Sequence, residues 1–156
     1  MFDEERPDFF DDPFFLAEAD PAVIQALEDP DRQRTYQAGT PYKEALRVAL
    51  ANLKALSDGG ATIAMGTDSG PPARFHGYFE HLELELMAEA GLAPMQILVA
   101  STSDAARCIG LEEVGTLEAG KFADFVVTTA NPLEDITNTR MIESVWISGN
   151  EVPRRR

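Results

Sequence analysis

The order of the predicted elements indicates an α/β fold that one copy of this chain does not complete. A predicted helix opens at Thr40-Pro41, ends at Gly59-Gly60, and is followed by a short, nearly all-apolar run, Ala61–Met65. Such a run between glycines is typical of a strand buried on both faces in a parallel sheet. The sequence predicts no second strand of that type, and a buried strand without neighbours leaves its backbone groups unpaired. We therefore expect missing sequence or another chain to supply its partners.

Residues 1–39 read as an irregular segment rich in Asp, Pro and Phe. One short helix is predicted over Pro21–Glu28, with Asp20 as its N-cap and Pro21 at its first position. The aromatic residues of this segment follow neither a strand period nor a helix period. They need a covering surface, as in a loop that lies over the mouth of a larger body.

Helices follow on both sides of the predicted strand. In the helix before it, leucines and alanines recur at helical spacing and form one apolar stripe (Leu46, Ala49, Leu50, Leu53 and Leu56). After it, helices are predicted over Tyr78–Ala90, Pro94–Ser101 and Asp104–Ile109, the last capped by Ser103. On the first of these, glutamates are expected to face solvent (Glu83, Glu85 and Glu89).

The last forty residues change to an antiparallel pattern. A strand rich in Val and Phe is predicted over Phe122–Thr128. Ile142–Ser148 and Glu151-Val152 are expected to pair as a hairpin across Gly149-Asn150. The C-terminal region is therefore a small antiparallel sheet.

Composition excludes two classes of partner. The net charge is −14, from 27 acidic and 13 basic residues, so the surface repels nucleic-acid phosphates. No run reaches the roughly 18 apolar residues that a membrane helix needs. The single cysteine, Cys108, forms no internal disulfide, which favours a reducing, cytoplasmic location.

Asp68 is the strongest candidate for a functional residue. It lies just past the C-terminal end of the predicted buried strand, where barrel and doubly wound enzymes place active-site groups, and Gly66 and Gly70 allow a sharp turn there. A carboxylate at that place can bind a divalent metal and accept a proton from metal-bound water. An Asp that bonds its own backbone in a TDSG turn is the structural alternative, and the spacing leaves both open.

Three further residues are candidates for contacts with substrate. His81 and His76 are five residues apart, which is not the spacing of a helical metal pair. Lone histidines are more often caps or surface groups, and of the two His81 is the better placed to face a cleft. Arg74 could receive a substrate carboxylate, although an ordinary exposed arginine is the more common explanation. Ser69 adjoins Asp68 but lies in no G-x-S-x-G elbow, so serine hydrolase chemistry is unsupported.

A series of motifs resembles a known family. The GTDSG turn at residues 66–70 is followed in turn by HLELELMAEAGLAPMQILVASTSDAAR, VGTLEAGKFADFVVTTANPLEDI and VWISGNEV. These stretches resemble the closing section of amidohydrolase-superfamily enzymes, especially the imidazolonepropionase-like and prolidase-like members. The resemblance covers most of residues 40–152, and residues 1–39 match less clearly.

The resemblance implies a fold and a site. The fold would be the C-terminal portion of a (β/α)8 TIM-like barrel plus strands of a small β-sandwich. Residues 1–39 would line the active-site rim, 40–113 would form the last barrel units, and 114–156 would belong to the sandwich. Asp68 corresponds to the family's strand-eight aspartate, a metal ligand that activates the hydrolytic water and shuttles its proton. The metal would be Zn²⁺, one ion or two, although other divalent metals are compatible.

The resemblance also implies what is missing. The family's other metal ligands, a His-x-His pair and further histidines on earlier strands, have no counterpart in this chain, which has two histidines in all. A catalytic zinc takes three protein ligands, so we expect these residues to be inactive in isolation. The complete enzyme would hydrolyse a C–N bond in a cyclic amide, another non-standard amide or an Xaa-Pro-type dipeptide. A non-catalytic module that completes a barrel from another chain, or a remnant without function, are the alternatives.

Overall fold

The computed structural model describes residues 8–31, 42–70 and 76–153. The predicted helix start at Thr40-Pro41 and the candidate Arg74 lie outside these residues. The helices are α1 (Pro13–Glu18), α2 (Pro21–Leu27), α3 (Tyr42–Asp58), α4 (Tyr78–Glu89), α5 (Pro94–Ser101) and α6 (Ser103–Cys108), and the strands are β1 (Phe125–Thr128), β2 (Ile142–Ile147) and β3 (Asn150–Glu151). Short 3₁₀ turns cover Asp8–Asp11 and Ile136–Arg140.

Two aspartate-proline pairs start the first two helices. The Asp12 carboxylate accepts a hydrogen bond from the Phe14 amide at 2.8 Å, and Asp20 accepts one from Ala22 at 2.8 Å. In each case the proline that follows the cap is pre-set for the first helical turn. The prediction of α2 is confirmed. Helix α1 was not predicted, although the same Asp-Pro pair marks its start.

The aromatic residues near the N-terminus pack against α4. Phe10 and Phe15 are buried together with Tyr78 and Phe79. Edge-to-face contacts join the rings, with centroids 5.7 Å apart for Phe10 and Phe15 and 5.1 Å for Phe15 and Tyr78. We call these residues, with Ala19, the aromatic cluster. Within this chain, the start of α4 provides the covering surface that these aromatic residues were expected to need.

A second core lies between α4, α5 and the 3₁₀ turn before β2. Its buried members are Leu84, Met87, Leu92, Ile97, Ala100 and Ile136. Ile63 and Met65 pack against it from the segment that precedes the GTDSG turn. One face of residues 61–70 therefore packs against this second core.

Residues 61–70 belong to no strand ladder among the described residues, although burial alternates along them as in an extended chain up to Asp68. The Met65 amide donates to the Ala100 carbonyl at 2.9 Å. Burial alternates along the segment: odd-numbered residues from Ile63 to Ser69 are half-buried, whereas even-numbered residues from Thr62 to Asp68 are exposed. Among the described residues only one face has a neighbour, so burial on both faces is not seen within this chain.

The apolar stripe of α3 is largely uncovered. Leu53 packs against the second core, but Leu46 and Leu56 are 43% and 56% exposed. A stripe of this kind normally marks the face by which a helix joins a core. The part of the chain that the structure describes leaves much of that face to solvent.

The C-terminal sheet is antiparallel with the order β1-β2-β3. Phe125 lies opposite Trp146, and their rings stack at 5.6 Å. The turn between β2 and β3 is Ser148-Gly149, not Gly149-Asn150 as predicted, and Asn150 begins β3. Both turn residues have positive φ, 51° and 74°, which is the geometry that matches the twist of a two-residue hairpin. The first strand starts at Phe125, three residues later than predicted.

Among the described residues, no helix combines the length and the apolar character that crossing a membrane requires.

Candidate active site

Asp68 lies at the C-terminal end of the extended segment, in a left-handed conformation. Its φ is 52°, and its side chain is on the exposed face of residues 61–70. A non-glycine residue in this region costs on the order of 1 kcal/mol, and aspartate is one of the few that adopt it readily. The following Gly70 also has a positive φ, 128°. The chain therefore turns sharply at the point where the carboxylate is presented.

The residues on both sides of Asp68 are bonded to one another. The Thr67 hydroxyl oxygen lies 2.7 Å from the Ser69 hydroxyl and accepts a hydrogen bond from the Ser69 amide at 3.2 Å. Ser69, a predicted substrate contact, is thus half-buried in this small network beside Asp68. Its role toward a substrate stays a prediction.

Glu80 connects this turn to α4. One of its carboxylate oxygens accepts from the Thr67 hydroxyl at 2.9 Å, and the other accepts from the Gly77 amide at 2.5 Å. Burial raises the pKa of Glu80, but hydrogen bonds from Thr67, Ser69 and the Gly77 amide outweigh it and lower the pKa overall. Glu80 is therefore an anion at neutral pH. Glu80 was not among the residues predicted from the sequence, although a glutamate three residues after an N-cap is a known cap signal.

His81 contacts two other residues of this chain, Thr139 and Phe14. Its Nδ1 lies 2.9 Å from the Thr139 hydroxyl, and its ring meets the Phe14 ring edge-to-face at 5.3 Å. Because Thr139 donates its own hydrogen to the Ile136 carbonyl, it accepts from His81, which places the proton on Nδ1. Burial, then the charge of Arg140, lowers the pKa of His81. A role for His81 in substrate binding remains a prediction.

Arg140 joins three elements next to His81. Its Nη1 lies 2.7 Å from the Asp12 carboxylate, and its Nε lies 2.7 Å from that of Glu85. The guanidinium also lies over Phe14 and Tyr78, at 5.5 Å and 5.1 Å from their ring centroids. Although burial raises the pKa of Asp12, the Phe14 amide and Arg140 lower it overall. No spacing pattern predicts a pair 128 residues apart in sequence.

Two of the glutamates expected in solvent are not fully exposed. Glu85 is half-buried through its contact with Arg140. Glu83 is also half-buried, and burial raises the pKa of its carboxyl group. The expectation was wrong for these two because the helix packs on more than one side, while Glu89 is exposed as predicted.

The residues that the structure describes do not form a metal site by themselves. Across 8–31, 42–70 and 76–153, no three His, Cys, Asp or Glu side chains are placed to hold one ion. A catalytic zinc site normally takes three protein ligands. Asp68 could supply one of them, and the described part of this chain does not complete the set.

Comparison with known proteins agrees with the resemblance seen in the sequence. Residues 42–152 match the model of the amidohydrolase family. An imidazolonepropionase from Deinococcus deserti is 32% identical over 135 residues, which is 84% of this chain and 33% of that protein. A 5-methylthioadenosine/S-adenosylhomocysteine deaminase from Bacillus cereus is 28% identical over 123 residues, 74% of this chain and 25% of that protein.

A solved structure shares the described fold. The crystal structure of a Xaa-Pro dipeptidase with bound methionine in its active site matches 66% of this chain and 25% of that one, with a TM-score of 0.60 and 28% identity. This chain spans a third or less of the length of these relatives. The family match includes the GTDSG turn, α4–α6 and the antiparallel sheet. The chain therefore belongs to the amidohydrolase family.

Proposed function

We propose that this chain is the C-terminal part of a metal-dependent amidohydrolase that cleaves C–N bonds with a metal-activated water. The observation that carries the proposal is the position of Asp68. It ends an extended segment within the matched residues 42–152 and lies on that segment's exposed face.

The exposed face of residues 61–70 suits the interior of a barrel. Thr62, Ala64, Gly66 and Asp68 share this face, since side chains alternate along an extended chain. Neighbouring strands on both sides would turn the face inward and place Asp68 at the carboxyl edge, where barrel enzymes hold their catalytic groups. In this arrangement residues 40–113 are the last barrel units, 114–156 are sandwich strands and 1–39 border the pocket.

Asp68 would have two roles in the completed enzyme. Its carboxylate would be one ligand of a Zn²⁺ site holding one or two ions, with the other ligands supplied from outside the described residues. The metal, when bound, supplies an acidified water at neutral pH. Asp68 would also be the residue that takes up a proton from the attacking water and delivers it to the leaving nitrogen.

The kinds of relatives support a proposal for the substrate class. Proteins named for imidazolonepropionate and for Xaa-Pro dipeptides both match, so we propose a cyclic amide or an Xaa-Pro-type dipeptide. Ser69, Arg74 and His81 are the proposed substrate contacts. The match to a deaminase keeps other C–N substrates within the same reaction class.

A second candidate function is a non-catalytic module that completes a barrel supplied by another chain. Two features favour it: the exposed apolar face of α3, and segment 61–70, which pairs with no strand among the described residues. Both need a covering partner. This candidate differs from the first in two respects: the barrel is a separate chain, and Asp68 takes no part in the chemistry.

The test begins with the DNA upstream of Met1, read in frame. An open frame that encodes a His-x-His motif and further histidines would be expressed with this chain as one protein and loaded with Zn²⁺. We expect metal-dependent hydrolysis within a panel of Xaa-Pro dipeptides and cyclic amides, and a loss on the order of 10³-fold in kcat for Asp68→Asn. The 156-residue chain alone should be inactive.

Two outcomes would contradict the proposal. Full activity of Asp68→Asn would show that Asp68 has no catalytic role. A closed upstream frame, together with tight binding of the chain to a separate barrel protein that works equally well with Asp68→Asn, would favour the assembly module.

A further inference from the structure

We propose that Glu80 is a positioning residue that fixes the turn carrying Asp68. This inference rests on the proposed function of Asp68. Glu80 holds two different elements with one carboxylate: the Thr67 hydroxyl at 2.9 Å on one oxygen and the Gly77 amide on the other. It thereby links the residue before Asp68 to the start of α4.

The turn needs such a link because its own backbone is permissive. Gly66 and Gly70 flank it, and Asp68 adopts a left-handed φ of 52° that aspartate shares with few other residues. The Ser69 amide and hydroxyl lie within hydrogen-bonding distance of the Thr67 oxygen that donates to Glu80. Both neighbours of Asp68 are therefore bonded, directly or through Thr67, to the same carboxylate.

The other end of the link is well packed. Glu80 is in the first turn of α4, immediately after Tyr78 and Phe79, which are 3% and 6% exposed in the aromatic cluster. Glu80 thus relates the position of the Asp68 turn to a well-packed part of the molecule. A functional carboxylate held within a fraction of an ångström is what catalysis by a positioned group requires.

The alternative is that Glu80 only caps α4. A glutamate at the third position of a helix that accepts from the amide before the helix has that role in many proteins. Capping depends on the Gly77 bond alone, whereas positioning depends on the Thr67 bond. Substitutions that separate these two bonds decide between the roles.

The first measurement is an amide NMR spectrum of the 156-residue chain with Glu80→Ala, Glu80→Gln or Thr67→Val. We expect Glu80→Ala and Thr67→Val to shift the amide signals of Asp68 and Ser69, and the double variant to shift them no further. Glu80→Gln should restore the wild-type pattern, because its carbonyl can accept from Gly77 while its amide donates to Thr67. The control is Glu89→Ala, an exposed residue at the far end of α4.

The second measurement uses the Zn²⁺-loaded hydrolase of the preceding subsection. Glu80→Ala and Thr67→Val should each lower kcat by on the order of 10-fold to 100-fold with KM nearly unchanged, and Glu80→Gln should recover most of it. Unmoved Asp68 and Ser69 signals in Thr67→Val, or an unchanged kcat in Glu80→Ala, would overturn the positioning role. Asp68→Asn, assayed in parallel, tests the proposed function separately. The NMR result does not depend on the outcome of that assay.

Discussion

The aromatic cluster and segment 61–70 both border α4 but differ in exposure: the cluster is buried, whereas segment 61–70 is exposed on one face. The aromatic cluster buries Phe10, Phe15, Tyr78 and Phe79 on all sides with residues of this chain. Segment 61–70 buries one face against the second core and exposes the other, and α3 beside it exposes much of its apolar stripe. The first region is complete by itself. The second is shaped for a partner, which agrees with a chain that spans a third or less of its relatives.

Truncation of one side chain from each region should give the largest contrast. Phe15→Ala removes a ring that is 0% exposed and should cost about 3–5 kcal/mol in the free energy of unfolding. Leu56→Ala removes a side chain that is 56% exposed and should change it by less than about 0.5 kcal/mol. Urea unfolding of the chain, followed by circular dichroism, measures both. Equal losses would show that α3 is covered in solution. In the assembled enzyme, Leu56→Ala should become clearly destabilising.

The Arg140 contact should give the next largest effect. Arg140→Ala leaves two half-buried carboxylates, those of Asp12 and Glu85, without their shared cation, so we expect a loss of about 3 kcal/mol. Arg140→Lys keeps the charge but not the two-sided geometry and should lie between. Arg107→Ala is the matched control, since Arg107 pairs with Asp104 while 72% exposed, and it should change stability by less than about 0.5 kcal/mol. A loss for Arg107→Ala as large as that for Arg140→Ala would refute this ranking.

The smallest effect concerns pH. Burial, then the charge of Arg140, lowers the pKa of His81 below its usual 6.5, so the unfolded chain takes up the proton first as pH falls. Stability is therefore fully present above the ordinary pKa and decreases as pH falls from there toward the folded pKa. Unfolding measured at about pH 7.5 and about pH 5.5 should show this loss in the wild type and less of it in His81→Gln. The exposed His76→Gln variant serves as the control and should retain the wild-type difference.

The elements that sequence predicted well are those with local causes. Both α2 and α5 begin at a proline, and their bounds agree with prediction to within a residue. The β2–β3 turn was misplaced by one residue because Ser148 takes a positive φ that serine seldom adopts. Residues 61–65 have the composition of a strand, but strand pairing depends on neighbours that the chain does not provide among its described residues.

The residues of the candidate site also differ in whether a local sequence pattern or the folded structure reveals them. Asp68 could be selected from its place after an apolar run and between glycines, which is a local pattern. The contacts of Arg140 with Asp12 and Glu85 could not, because three separate elements meet there only after folding. Glu80 is intermediate: its bond to Gly77 follows a local rule, but its bond to Thr67 joins residues 13 apart and depends on the folded arrangement.

The one-sided burial of segment 61–70 has a consequence for handling the protein. An extended segment outside any ladder is a template for another extended chain, including the same segment of a second copy. The net charge of −14 opposes that encounter by long-range repulsion, which salt screens over about 8–10 Å at physiological ionic strength. The isolated chain should therefore stay dispersed in dilute buffer and self-associate as salt is added, the reverse of ordinary salting-in.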